Sequence, residues 1–209
     1  ISQESLDLHH PKTGWVEQDP NEIWLKTLSC LTHSLSKFQK DSISAIAITN
    51  QRETAIIWDK DTGVPIGPAI SWQCKRTSQK CNEMAKYSED VRIKTGLPLD
   101  PYFSATKFVW LINHYPESQN LLKNNKLGIG TVDTWLLWNL TNGKSYATDI
   151  TNASRTLLYN IKTLSYDQEL CQLFNIPIDS LPSVFPSCFN FGNYSYADDY
   201  KIPIYAMIG

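Results

Sequence analysis

With 209 residues the chain is long enough to bury a continuous core. Hydrophobic residues at 42% and charged residues at 19% exclude a disordered, solvating segment. A formal net charge of −2 gives no electrostatic footprint for DNA, RNA or anionic lipid, which leaves a small, roughly neutral ligand as the better fit.

The chain opens at Ile1 without a Met, and its first clear element is a helix over about 20–39. Asp19 can cap it, Pro20 suits the first helical position and Glu22 completes a capping box. Trp24, Leu28, Leu31, Leu35 and Phe38 then recur at spacings of four and three, one apolar stripe. Strands follow at Ile43–Thr49, at Thr54–Asp59 and, after the Asp61-Thr62-Gly63 turn, at Ala69–Trp72.

From Thr77 the pattern turns helical, with helices expected near 77–87, 104–114, 116–124 and 133–140 and a strand at Leu127–Val132. Ser104 is read as the cap of the second of these helices. A strand at Leu157–Ile161 and a helix over Tyr166–Phe174 precede a loop punctuated by Pro177, Pro182 and Pro186. The final run, Lys201–Ile208, reads as a strand apolar on both faces. Because it stops at Gly209 with no turn after it, a fragment is expected. The whole is α/β, without internal repeats.

The five cysteines, Cys30, Cys74, Cys81, Cys171 and Cys188, form an odd set without CxxC spacing, so reduced cytosolic thiols are expected rather than a disulfide framework or zinc site. Asn-x-Ser/Thr triplets at Asn139, Asn152 and Asn193 are read as chance matches, because no signal segment is evident. No apolar stretch approaches the roughly 20 residues of a membrane span.

Gln51-Arg52-Glu53 follows an apolar strand, where open α/β sheets present ligand-binding groups. An adjacent guanidinium and carboxylate can hold a hydroxyl that must both donate and accept, so polyol recognition is one reading. A turn with a solvated ion pair is the other. Trp72 and Tyr102 could wall a small pocket or simply pack in the core. Thr148–Arg155 is rich in small polar side chains and fits a cleft-lining loop or a surface loop equally. His9, His10, His33 and His114 sit in no catalytic or metal-ligand pattern, and no GxxxxGK[ST] or GxGxxG loop occurs.

Six segments, in order, resemble the glycerol-kinase branch of the FGGY carbohydrate kinases. They are Gly14–Pro20, Ile48–Thr54, Trp72–Thr77, Asp100–Lys107, Gly130–Trp135 and Thr148–Thr156. The resemblance implies an actin-like, ribonuclease-H-like ATPase fold, a mixed sheet flanked by helices that closes on glycerol and Mg-ATP. Residues 1–209 would be most of the N-terminal, substrate-binding domain. By the same resemblance Arg52, Glu53 and Tyr102 bind glycerol hydroxyls and Trp72 packs on its carbons.

The base of the family is the Asp of a Gly-Asp-Gln motif and would follow Gly209; the phosphate loop would precede Ile1. The first strands and the C-terminal ATP-binding domain would then lie outside this chain, which alone should not catalyse. A cytoplasmic homo-oligomer that touches neither nucleic acid nor membrane is implied for the complete protein. Another FGGY sugar kinase and a non-catalytic polyol-binding module are the alternatives.

Ala105 stands where the resembled motif has Gly, and Lys75 where Arg is common; both are mild departures. Ala197-Asp198-Asp199-Tyr200-Lys201 replaces a Gly- and Arg-containing loop of bacterial enzymes inhibited by fructose 1,6-bisphosphate, and two carboxylates would repel that ligand. We therefore expect no heat of binding when the bisphosphate is titrated into the full-length protein; tight binding would contradict this.

Overall fold

The computed structural model describes residues 1–39, 42–197 and 200–209. Asp198 and Asp199 of the acidic loop lie outside the described residues. In chain order the elements begin with β1 (Glu17–Gln18), α1 (Pro20–Leu35), β2 (Ile46–Thr49), β3 (Ile56–Asp59), β4 (Ala69–Ile70), α2 (Ser78–Glu83) and α3 (Ser88–Thr95). They continue with α4 (Ser104–His114), α5 (Pro116–Lys123), β5 (Leu127–Gly130), α6 (Val132–Leu140), β6 (Ala147–Asp149) and α7 (Ile150–Ala153). The last are β7 (Tyr159–Asn160), β8 (Ser165–Tyr166), α8 (Gln168–Leu173), β9 (Ser183–Phe185), β10 (Asn193–Ala197) and β11 (Tyr200–Ile208).

β11 is central in a mixed sheet, antiparallel to β10 and parallel to β2. β3 pairs antiparallel with β5, and β6 pairs in parallel with β9. β1 pairs with β4, and β7 with β8.

The alternation of side chains along a strand explains how the core divides in two. Ile57 of β3 and Leu127 and Ile129 of β5 face a cluster with Phe108 and Leu111 of α4. Ile56 and Trp58 face the opposite cluster, with Trp135 and Leu137 of α6 and Ile204 and Met207 of β11. β5 reads Leu-Gly-Ile-Gly for the same reason. Its glycines lie on the Trp58 side, and Gly128 is the register partner of Trp58. The indole needs the missing side chain, since it also packs against Trp135 and Tyr146 at centroid distances of 5.3 and 5.8 Å.

Several boundaries differ from the sequence reading. α1 stops at Leu35 rather than at residue 39. The Ser36 hydroxyl donates to the His33 carbonyl, and Lys37 and Phe38 bond three residues back, which tightens the last turn and leaves Phe38 64% exposed. Asp19 caps the helix as expected, accepting from Asn21 N at 2.8 Å. Glu22 turns to Lys26 and to the Asp7 amide, so the capping box is half formed.

The helix expected over 77–87 breaks after Glu83 into a single 3₁₀ turn and then α3, which the sequence reading omitted. Within α3, Val91 and Thr95 are the buried residues, too few for an apolar stripe. The expected strands at 43–49, 54–59, 69–72, 127–132 and 157–161 are all present but shorter. α8 starts at Gln168, where Asp167 accepts from the amides of Glu169 and Leu170. In β11 a register shift between Ile204 and Ala206 moves the buried set from Ile202 and Ile204 to Met207, so Ile208 is half exposed.

A side chain at Gly128 would lie under 3.0 Å from the fully buried Trp58 ring. We expect Gly128→Ala to destabilise the protein by about 1–3 kcal/mol, the range for overpacking a filled core. Urea unfolding measures it, and an unchanged midpoint would contradict this packing.

Candidate functional site

The chain leaves β2 at Thr49 and re-enters the core at β3 through the segment Asn50–Ala55. Thr54 N donates to the Arg52 carbonyl at 2.8 Å, closing a tight turn that puts Glu53 at φ 63°. Non-glycine residues seldom occupy this left-handed region, and such strain persists only where the surroundings over-determine it. Those surroundings are visible. Gln51 donates to the Gln18 side chain at 2.6 Å, and Asn50 donates to the Asn152 side chain at 3.0 Å. The Ser104 hydroxyl donates to the Glu53 carbonyl at 3.1 Å. Ser104 is therefore spent on this turn, and Phe103, not Ser104, occupies the cap position of α4.

The Glu53 side chain is 2% exposed, and its Oε1 accepts from Arg155 Nε at 2.6 Å. Among the described residues Oε2 accepts no hydrogen bond, so one carboxylate oxygen is left for something else. Arg155 reaches this position because Asp149 builds the turn before it. The buried Asp149 accepts from the amides of Thr151 and Asn152 at 3.1 and 3.0 Å. It also accepts from both of their side chains and from Ser187 Oγ. A four-residue helix has no stability of its own, so this saturated cap is what defines α7. Thr156 then accepts from Ala105 N at 2.9 Å, joining the end of this segment to the start of α4.

The Arg155 guanidinium lies 4.9 Å from the Phe103 ring centroid and 5.8 Å from that of Tyr102. Tyr102 meets Trp72 edge-on at 5.6 Å. Trp72 N in turn donates to Thr54 Oγ1 at 3.3 Å, which returns the chain of contacts to the turn. Beneath Tyr102, Lys107 is wholly buried, and its ammonium donates to the carbonyls of Tyr102 and Pro101. Burial pushes Lys107 down to about 7, opposed by the nearby Glu53 carboxylate.

Glu53, Trp72 and Tyr102 are thus brought into one connected group. Arg52 stands at its edge, half-buried, with its aliphatic stem packed where a side chain at Gly209 would have to be. Trp72 and Tyr102 line an open cavity of about 540 Å³ together with Lys75, Asp100 and Pro101; Arg52 and Glu53 do not line it. Ala105, the departure from Gly, is fully buried in the core.

Sequence reading passed over Arg155, Lys107 and Asp149 as individual residues. Arg155 and Asp149 lie in the Thr148–Arg155 segment, whose small polar side chains suit a cleft-lining loop and a surface loop alike. Lys107 carries its own signal, a single cation in the otherwise uncharged run Ser104–Ile112.

The profile of the FGGY family of carbohydrate kinases, N-terminal domain, matches residues 1–202. The chain belongs to this family. It is 47% identical over 198 residues to a glycerol kinase of Mycoplasma pneumoniae, covering 92% of this chain and 39% of that relative. It is 48% identical over 214 residues to a glycerol kinase of Shewanella sp. (strain ANA-3), covering 100% and 43%.

Among solved structures, glycerol kinase of Plasmodium falciparum with ADP superposes with a TM-score of 0.92 at 40% identity, over 99% of this chain and 42% of that one. A gluconate kinase of Lactobacillus acidophilus superposes at 0.84 with 23% identity, which speaks to the fold alone. The α/β fold is accordingly the actin-like ATPase type of the FGGY kinases. The chain spans about two fifths of the length of these relatives.

Among the described residues no helix is long and apolar enough to cross a membrane, and no group of three or more His, Cys, Asp or Glu could hold a metal ion.

Proposed function

We propose that the protein to which this chain belongs transfers the ATP γ-phosphate to a terminal hydroxyl of glycerol, and that Arg52, Glu53, Trp72 and Tyr102 hold the glycerol. What carries the reading is identity of 47% and 48% to glycerol kinases across nearly all of this chain, site turn included. Nucleotide use draws support from the ADP complex of the Plasmodium falciparum relative.

The arrangement fits a polyol. Glu53 Oε2 supplies an acceptor, the Arg52 guanidinium a donor, and the Tyr102 hydroxyl either. Trp72 gives an apolar face for carbon atoms beside these polar groups. Phosphoryl transfer asks mainly that the attacking oxygen be placed and the phosphate charge be neutralised. In this proposal the chain performs the placing. The described residues offer no metal cluster, so no step through magnesium is assigned to them. Magnesium, the phosphate contacts and the base that takes the hydroxyl proton are placed in the part of the relatives' length that this chain does not cover.

The test is coupled ADP release by the full-length protein with glycerol, gluconate and a pentulose in parallel. We expect glycerol-dependent release that falls on the order of 10- to 100-fold in Arg52→Ala and in Glu53→Ala, the loss for a hydrogen bond to a charged group. Unchanged turnover in both variants would refute the site. Preference for a sugar acid or a pentulose would favour another branch of the family.

A further inference from the structure

Arg155 is the residue that touches both ends of the contact group while belonging to neither. Its Nε donates to Glu53 Oε1 across 102 residues of sequence, and its guanidinium plane lies near the Tyr102 and Phe103 rings. It is itself held at two points of the backbone. Arg155 N donates to the Asn152 carbonyl at 3.0 Å, and the next carbonyl accepts from the first turn of α4. We propose that Arg155 is a positioning residue of the polyol site, setting the Glu53 carboxylate and the Tyr102 ring for the substrate.

Glu53 sits in a left-handed turn and is nearly fully buried, so leaving its carboxylate oxygens without hydrogen-bond partners there would be costly. Lys107 is a fully buried basic residue of this neighbourhood, but its side-chain nitrogen is committed to the carbonyls of Pro101 and Tyr102. Arg155 alone makes the ion pair with Glu53 among the described residues. By engaging Oε1 it fixes which oxygen remains for a hydroxyl. The guanidinium does this while lying 4.9 Å from the Phe103 ring centroid and 5.8 Å from that of Tyr102, and its fixed fork of donors is something a lysine ammonium does not offer.

The inference rests on the glycerol reading above, so its test starts from the complete wild-type enzyme. KM for glycerol and for ATP, kcat and the thermal midpoint are measured for wild type, Arg155→Met, Arg155→Lys, Glu53→Gln and the Met/Gln double variant. A misplaced substrate group loses on the order of 100-fold. We expect Arg155→Met to raise KM for glycerol by about 10- to 100-fold with KM for ATP unchanged, and Arg155→Lys to recover part of the loss. Because the two residues act through one contact, the double variant should be no worse than the worse single one.

An unchanged KM for glycerol overturns the positioning role, and so do additive losses or equal losses for both substrates with a lowered midpoint. In each of those cases wild-type turnover of glycerol still stands. Wild-type enzyme that does not turn over glycerol overturns the functional reading and this inference with it. If Arg155→Met does not fold, Arg155→Lys and its cycle with Glu53→Gln decide the matter alone.

Discussion

The ion pair between Glu53 and Arg155, with the Asn50–Asn152 hydrogen bond beside it, joins two parts of the chain about a hundred residues apart in sequence. One partner lies in a left-handed turn between two strands, the other just past a four-residue helix. Neither element is stable alone. A buried carboxylate without a hydrogen-bond partner would be costly, and a one-turn helix without its cap would fray. Each is made tenable by the other and by the groups around them, Ser104 on the turn and Asp149 under the helix.

The scaffold beneath supplies the rigidity this pairing needs. β3 and β5 form a two-faced wall, with aliphatic residues toward α4 and the Trp58 ring lying over Gly128 toward α6. α4 starts at the site and runs into the first of these cores, so Ser104 and Lys107, both fully buried, address the turn and the Tyr102 loop from a helix that cannot shift. Interiors packed at this density respond to displacement by switching or resisting, rather than by deforming smoothly. That is why side chains as far apart in sequence as Glu53 and Tyr102 can hold a fixed relation.

Much of this could be read from residues. The apolar runs at Ile43–Thr49, Thr54–Asp59 and Leu127–Val132 announce strands, which the fold keeps in shorter form, and the helical pattern over 104–114 announces α4. The six motif segments identified the family and, with it, four candidate side chains. What the sequence withheld has a common cause. Phe38 continues the α1 stripe in spacing yet lies outside the helix, where the Ser36 hydroxyl takes the His33 carbonyl. Arg155 looks like any polar loop residue until Asp149 and Asn152 fold that loop into a turn. Long-range polar pairs leave no periodic trace, so the network that orders the candidate site was invisible where the hydrophobic pattern was plain.

In the function proposed above, the Glu53 turn is where a polyol is held. A crystal structure of the complete protein soaked in glycerol addresses it directly. The account predicts one hydroxyl within about 3 Å of Glu53 Oε2, a hydrogen-bond length, with the carbons against Trp72 and Arg155 still on Oε1. Ordered glycerol at another site, with this turn empty, would contradict it.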